Sequence, residues 1–167
     1  TGMHYGYIGL GNLGAACAGC LLKGGFQVTV YDLNPALSAP LVAQGAVLAN
    51  SAEEVAASVD HVITCLPSPA VSERVLRNIL PQMKAGASWL EMSTLGRDEV
   101  LRLAAVAAEA GVRMMELPVT GGVHLAYQGK ITMLATDRWL MAAGFLANGM
   151  SVNTTDQAGL DKVRDQL

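Results

Sequence analysis

The chain is short of charge of either sign. Of its 167 residues only 15% are Asp, Glu, Lys or Arg, and they balance to a net −3 with a pI near 5.5. No basic patch appears along it, which argues against an electrostatic footprint for nucleic acid. No apolar run approaches the length of a membrane span, and the N-terminus lacks a charged stretch followed by an apolar one. Cysteine is scarce as well: three, an odd number without framework spacing, fit a reducing compartment and not a disulfide scaffold. No internal repeat, no Ser/His/Asp set and no metal-ligand constellation is visible. A soluble, cytoplasmic protein without membrane or nucleic-acid partners is expected.

What remains is apolar and small. Hydrophobic residues make up 51% and the mean hydropathy is +0.35, much of it from Ala and Val, as in a tightly packed α/β layer structure. The length suits one domain with a real core. The 18 glycines cluster at junctions between segments, which excludes a collagen-like or low-complexity pattern.

Strand-like and helix-like stretches alternate. Tyr5 to Leu10 reads as a strand, followed by helix-compatible residues from Leu13 that Gly24-Gly25 stop. "FQVTVYD" alternates and β-branches like a strand, and Asn34-Pro35 ends it. Short helices are expected over "ALSAPLVAQG" and "SAEEVAAS", around a weak strand at Ala46 to Leu48, with Ser51 and Glu54 spaced as a capping box. "DHVITCLP" is a buried strand, and a helix follows from about Ala70 to Leu80. "SWLEMST" is the next strand, "DEVLRLAAVAAEAG" an amphipathic helix, and "VRMMELP" a further strand closed by Pro118. Beyond Lys130 the pattern predicts a strand at Ile131 to Leu134, a helix near Trp139 to Leu146, and no clear element to Leu167. Strands alternating with helices over short loops imply βαβ units and a Rossmann-type, doubly wound, mainly parallel sheet.

One junction carries a specific chemistry. Gly9-x-Gly11-x-x-Gly14 lies directly after a strand and before a helix. Gly9 allows the tight turn, Gly11 lets backbone approach a pyrophosphate, and Gly14 lets helix and strand pack closely. The helix N-terminus then offers free N–H groups and a positive dipole end to the phosphates. Asp32 ends the second strand about twenty residues after Gly11, where a carboxylate meets the adenosine ribose hydroxyls. A carboxylate there repels a 2′-phosphate, and no arginine follows in "DLNP", so NAD is favoured over NADP. Cofactor contacts are expected from Gly9, Leu10, Gly11, Asn12, Leu13, Gly14, Asp32, Leu33 and Asn34.

The second glycine cluster, in "ELPVTGGVHLAYQGKIT", admits two readings, a flexible turn or a surface that grips a ligand. Here the chain resembles the β-hydroxyacid dehydrogenases, a family that includes 3-hydroxyisobutyrate dehydrogenase and tartronate semialdehyde reductase. The opening "YIGLGNLGAACAGCLLKGGFQVTVYDLNP" is similar to that family's N-terminal signature, with Leu13 where Met is usual. "CLPSP" and "EMST" resemble its strand ends beside the nicotinamide, which implies cofactor contacts from Leu66, Pro67 and Thr94. The later stretch resembles the substrate signature D-x-P-V-S-G-G-x-x-G-A-x-x-G-x-L, with Thr120 for Ser and Leu125 for a glycine. The resemblance implies that Thr120, Gly121 and Gly122 hold a substrate carboxylate, and that Lys162 is the catalytic acid/base. Asp165 and Gln166 stand where the family has amides. The segment between Asp137 and Lys162 is shorter than in the family, and "LATD" replaces a glycine pair.

The implied activity is hydride transfer between NAD and a small β-hydroxyacid. An imine-reductase-like relative and a non-catalytic dinucleotide-binding module are the alternatives. Family members carry a second, all-helical domain that dimerises. The expectation is therefore a dinucleotide-binding domain over residues 1–157, the start of an interdomain helix over 158–167, and a homo-oligomer formed through helical domain not included here. Cys17-x-x-Cys20 falls inside the first helix and reads as packing. Ser93-Thr94 reads equally well as a nicotinamide contact or as the N-cap of the helix ahead. His4, His61 and His124 are assigned no role.

Overall fold

The computed structural model describes residues 3–130 and 132–133. The chain divides into two compact units, Thr1–Ile131 and Thr132–Leu167. In the first, six strands form one sheet: β1 (His4–Ile8), β2 (Gln27–Tyr31), β3 (Val47–Leu48), β4 (His61–Thr64), β5 (Ser88–Glu91) and β6 (Arg113–Glu116). Their order is β3-β2-β1-β4-β5-β6, and every pairing is parallel. The order reverses between β1 and β4, which is where an open α/β sheet leaves a crevice outside its strand ends. The doubly wound reading from sequence is borne out.

Between the strands run α1 (Asn12–Lys23), α2 (Pro35–Val42), α3 (Ala52–Ser58), α4 (Pro69–Ile79), which passes into a 3-10 turn at Leu80–Gln82, and α5 (Arg97–Glu109). Two cores follow from the alternation of side chains along the strands. On one face Val62 and Trp89 pack with Val55 of α3, Leu76 and Ile79 of α4 and Leu103 of α5, all completely buried. On the other, Tyr7, Val28 and Val30 meet Ala16, Cys17 and Ala18 of α1 and Leu41 of α2. Small residues on α1 pack against one face of the sheet, while Trp89, the largest fully buried side chain, packs on the other. Burial of each large apolar side chain contributes about 1.5–3 kcal/mol.

The strands are shorter than the sequence pattern suggests, mainly at their carboxyl ends. Gly9, with φ +93°, ends β1 before Leu10, and β5 stops at Glu91 instead of running to Thr94. Leu10 and Met92, just past those points, are apolar and buried although they lie beyond the strands. Ser51 does cap α3, accepting from Glu54 N at 3.1 Å, but Glu54 returns its carboxylate to Asn50 N at 2.7 Å. The expected box is thus closed one residue early. Past β6 come a two-residue strand β7 (Val119–Thr120) and a short helix α6 (Gly122–Tyr127) that the glycine pair conceals in the sequence. In the second unit only β8 (Thr132–Met133) is described. The helix near Trp139 to Leu146 and the boundary at residue 157 lie outside the described residues. Among the described residues no helix is long and apolar enough to cross a membrane.

An ion cluster ties α4 to α5. Glu73 accepts from Arg102 Nη1 at 2.6 Å and from Arg77 Nη2 at 2.9 Å. The bond from Arg102 is the larger cause that lowers the Glu73 carboxyl from 4.5 to about 2. Since the folded value lies below the unfolded one, the cluster's contribution is present above about pH 4.5 and is lost as pH falls toward 2. These charges are in contact with solvent and screened by salt, so the effect is small. On acidification through that window, the melting temperature of wild type is expected to drop more than that of Glu73→Gln, and the gap to close in high salt. Parallel curves for the two proteins would show that the cluster contributes nothing.

Candidate functional site

The carboxyl ends of β1, β2, β4, β5 and β6 lie along one edge of the sheet, and most residues expected to bind ligand follow them directly. At the β1–α1 turn the three glycines do separable jobs. A Cβ on Gly9, already at φ +93°, would press into the Cys65 carbonyl oxygen after β4. A Cβ on Gly14 would press into the carbonyl oxygen of Gly9, so α1 crosses the turn with no room for a side chain. Around Gly11 nothing lies within 4 Å of where a Cβ would be, so this backbone is open to an approaching group. Gly11 is the N-cap of α1 and supplies no side-chain cap, and the first turn carries no acidic residue. A 12-residue helix thus presents uncapped N–H groups to an open space, which fits a pyrophosphate.

Asp32 is half-buried just past β2, and both its oxygens are engaged. Oδ2 accepts from Leu10 N at 2.7 Å, and Oδ1 accepts from Asn34 N at 2.8 Å. Each oxygen retains a lone pair for a ribose hydroxyl. The carboxylate therefore also braces the glycine turn against the end of β2. Leu10 has a fully buried side chain, so any contact it makes to a ligand is by main chain. Asn12 is exposed and Leu13 half-buried, while Leu33 is 83% exposed beside Asp32. Asn34 is the N-cap of α2, its Oδ1 accepting from Ala36 N at 3.1 Å.

The β4 and β5 ends are joined by a buried polar network that the sequence reading passed over. Trp89 Nε1 donates to Thr64 Oγ1 at 2.8 Å, and Thr64 Oγ1 donates to Glu91 Oε2 at 2.9 Å. Glu91 Oε1 accepts from Ser93 N at 2.6 Å, and Ser93 Oγ accepts from Leu66 N at 2.8 Å. Thr64, Trp89 and Glu91 are completely buried. Glu91 was legible as an acid inside an apolar strand, between Leu90 and Met92. Leu66 is half-buried, and Pro67 and Thr94 are exposed at this edge. Neither Ser93 nor Thr94 caps α5: Gly96 is its N-cap, and Glu99 Oε2 accepts from Gly96 N at 2.8 Å. The capping alternative is thereby excluded, since Ser93 spends its hydroxyl on Leu66.

After β6, Gly121 and Gly122 are exposed with φ of +109° and +77°, conformations that side chains disfavour. Gly121 is the N-cap of α6, and Leu125, at the position of a family glycine, packs over it. Cys20 Sγ donates to Ala126 O at 3.0 Å, fastening α6 to α1. Cys17 is buried. Burial raises its thiol pKa, and Cys65 is pushed up to about 11, again chiefly by burial. These two thiols are packing groups, not nucleophiles. Among the described residues no cluster of His, Cys, Asp or Glu could hold a metal ion. His124 is exposed, and His4 Nε2 lies 2.8 Å from Thr29 Oγ1 at the opposite edge of the sheet. Thr120 belongs to β7. Lys162, Asp165 and Gln166 lie outside the described residues.

Comparison with known proteins is consistent with this geometry. Residues 4–155 match the family model described as the NAD binding domain of 6-phosphogluconate dehydrogenase. The chain is 38% identical over 132 residues to 2-(hydroxymethyl)glutarate dehydrogenase of Eubacterium barkeri, covering 77% of this chain and 44% of that protein. It is 34% identical over 132 residues to mitochondrial 3-hydroxyisobutyrate dehydrogenase of Mus musculus, again 77% of this chain but 39% of the other. A solved 3-hydroxyisobutyrate dehydrogenase from Salmonella typhimurium superposes with a TM-score of 0.75 at 33% identity, over 79% of this chain and 47% of that one. The chain thus spans less than half the length of these relatives.

Proposed function

Because the chain belongs to the family of the NAD-binding domain of 6-phosphogluconate dehydrogenase, we propose that it serves hydride transfer between NAD(H) and a small β-hydroxyacid. The observation that carries this reading is the meeting of the open Gly11 backbone with Asp32, whose carboxylate holds the same turn at Leu10 N. NAD, when bound, supplies the hydride acceptor; the protein binds and orients. The N–H groups at the start of α1 take the pyrophosphate, with Asn12 and Leu13 in that turn. Asp32 takes the ribose hydroxyls beside Leu33 and Asn34. Leu66, Pro67 and Thr94 border the nicotinamide half.

In this reading the amides of Gly121 and Gly122, with the Thr120 hydroxyl, hold the substrate carboxylate. Backbone in the left-handed region without side chains leaves donors open to a small anion, which supports that role. Lys162 exchanges the proton at the substrate oxygen as hydride leaves or reaches the adjacent carbon. The names of the relatives support a hydroxyacid as the substrate class. The reading extends to a cytoplasmic homo-oligomer, in keeping with three free cysteines.

Calorimetric titration of the purified chain with NAD⁺ and NADP⁺ tests the cofactor half. We expect NADP⁺ to bind at least about tenfold more weakly, because its 2′-phosphate meets the Asp32 carboxylate. Equal affinities would remove Asp32 from the ribose site, and no binding of either would overturn the reading as a whole. A screen of small β-hydroxyacids for NADH formation, read by absorbance, then tests the substrate class.

A further inference from the structure

We infer that Glu91 is a positioning residue for the nicotinamide half of the site, acting through the buried chain that ends at Leu66. The inference rests on the NAD reading above and adds to it a residue that touches neither the phosphates nor the ribose.

Donor and acceptor bookkeeping gives the chain a direction. Trp89 Nε1 can only donate, and it donates to Thr64 Oγ1 at 2.8 Å. The single Thr64 hydroxyl proton is then free to go to Glu91 Oε2, 2.9 Å away. Ser93 N can only donate, and it meets the other oxygen, Oε1, at 2.6 Å. As drawn, both oxygens of Glu91 accept, and only a carboxylate can accept on both sides at once. A glutamine amide offers one oxygen: to keep Ser93 N on it, the NH2 must turn to Thr64 Oγ1, which then accepts twice and loses the acceptor for its own proton.

Stability alone does not call for this arrangement. Glu91 is completely buried, and taking a carboxylate out of water is costly unless every oxygen is satisfied. Its two oxygens are met by neutral groups, a hydroxyl and an amide. A neutral or apolar side chain would fill the space at lower desolvation cost. What the carboxylate adds is geometry. By drawing Ser93 N back onto a side chain two residues earlier, it ends β5 and turns the Ser93 hydroxyl toward the β4 loop. That hydroxyl accepts from Leu66 N at 2.8 Å, and the Ser72 hydroxyl of α4 lies 3.4 Å from it.

The backbone of the same residue reaches the third strand end. Glu91 O accepts from Leu117 N at 2.8 Å, at the start of the Leu117–Pro118 segment that leads to Gly121. Thr64 O accepts from Met92 N at 2.8 Å. The loops carrying Leu66 and Pro67, Thr94, and the second glycine pair all leave the sheet within hydrogen-bond reach of Glu91 or its direct partners. By contrast, the turn that takes the pyrophosphate is braced separately, by Asp32. The two halves of the site thus have different supports, and perturbing one should spare the other.

The test uses two ligands that share the adenosine and pyrophosphate and differ in the nicotinamide: NAD⁺ and ADP-ribose. In calorimetric titrations of the whole chain, Glu91→Gln is expected to weaken NAD⁺ about tenfold and ADP-ribose less than about twofold. Ser93→Ala, which removes the acceptor for Leu66 N but leaves Glu91 in place, should show the same split. Thr64→Val keeps the shape of Thr64 and serves where Glu91→Gln melts too low to titrate. Equal weakening of both ligands would mean general damage to the fold and would overturn the inference. Unchanged NAD⁺ affinity in all folded variants would overturn it too, while leaving the NAD reading intact. A wild-type chain that binds neither ligand would overturn both.

Discussion

Gly14→Val is expected to reduce NAD⁺ affinity by more than about 100-fold and to destabilise the chain by about 1–3 kcal/mol. The physical reason is a collision with nowhere to go. A Cβ at Gly14 would press into the Gly9 carbonyl oxygen, which is main chain and not the movable end of a side chain. Gly9 is itself tightly set: it holds φ +93°, and the space where its Cβ would stand is taken by the Cys65 carbonyl. The strain is relieved only by lifting α1 from β1, and that moves the N–H groups that the phosphates require.

Gly19→Ala on the same helix is the matched control. Its Cβ would meet Gln44 Oε1 at 3.7 Å and Leu41 Cδ2 at 3.8 Å, ordinary contact distances. Alanine also improves helix propensity by up to about 1 kcal/mol, so stability should hold or rise and NAD⁺ binding should not change. Thermal melts and titrations of the two variants side by side decide the matter. If Gly14→Val binds NAD⁺ like wild type, the close crossing of α1 has no part in binding.

Local spacing made the first half of this site readable. Gly9, Gly11, Gly14 and Asp32 lie within one strand-turn-helix-strand unit, so their mutual geometry follows from the chain's own repeat lengths. The parallel sheet was legible for the same reason, since each strand is separated from the next by one helix. What escaped depends on residues far apart in the chain. Glu91 is explained only by Thr64, 27 positions earlier, and by the bond from Leu66 N to Ser93 Oγ. Its acidic type was visible, but not that its neighbours would be donors.

Helix α6 escaped for a different reason. Two adjacent glycines read as a loop, yet their left-handed backbone is what starts the helix, and the anchor that holds it is a cysteine thiol more than a hundred residues away. Cys20, dismissed as mere packing, has that directed role. Asp32 stands just past the end of β2, and it carries a bond that its spacing does not show. Sequence spacing points its carboxylate at a ribose, but nothing local shows that it already holds Leu10 N.

That second duty sets the outcome of Asp32→Ala, for which we expect NAD⁺ affinity to fall about 100-fold, more than one ribose contact would account for. Two bonds are lost within the protein itself, at 2.7 Å to Leu10 N and 2.8 Å to Asn34 N. The bond to Leu10 N is part-buried and that to Asn34 N is exposed, so the loss falls mainly on the first and costs about 1–2 kcal/mol of stability even with no ligand present. The ligand-free melting temperature is therefore the discriminating reading. A carboxylate that serves only the ribose leaves it unchanged on substitution, whereas a brace lowers it. The ligand pattern should also differ from that of Glu91→Gln. ADP-ribose and NAD⁺ weaken together, because the turn that moves serves the part they share. NADP⁺ should lose less than NAD⁺, since removing the carboxylate also removes its repulsion of the 2′-phosphate. Wild-type NAD⁺ affinity in Asp32→Ala would strip this residue of both roles, and with them the main support for an NAD-selective site.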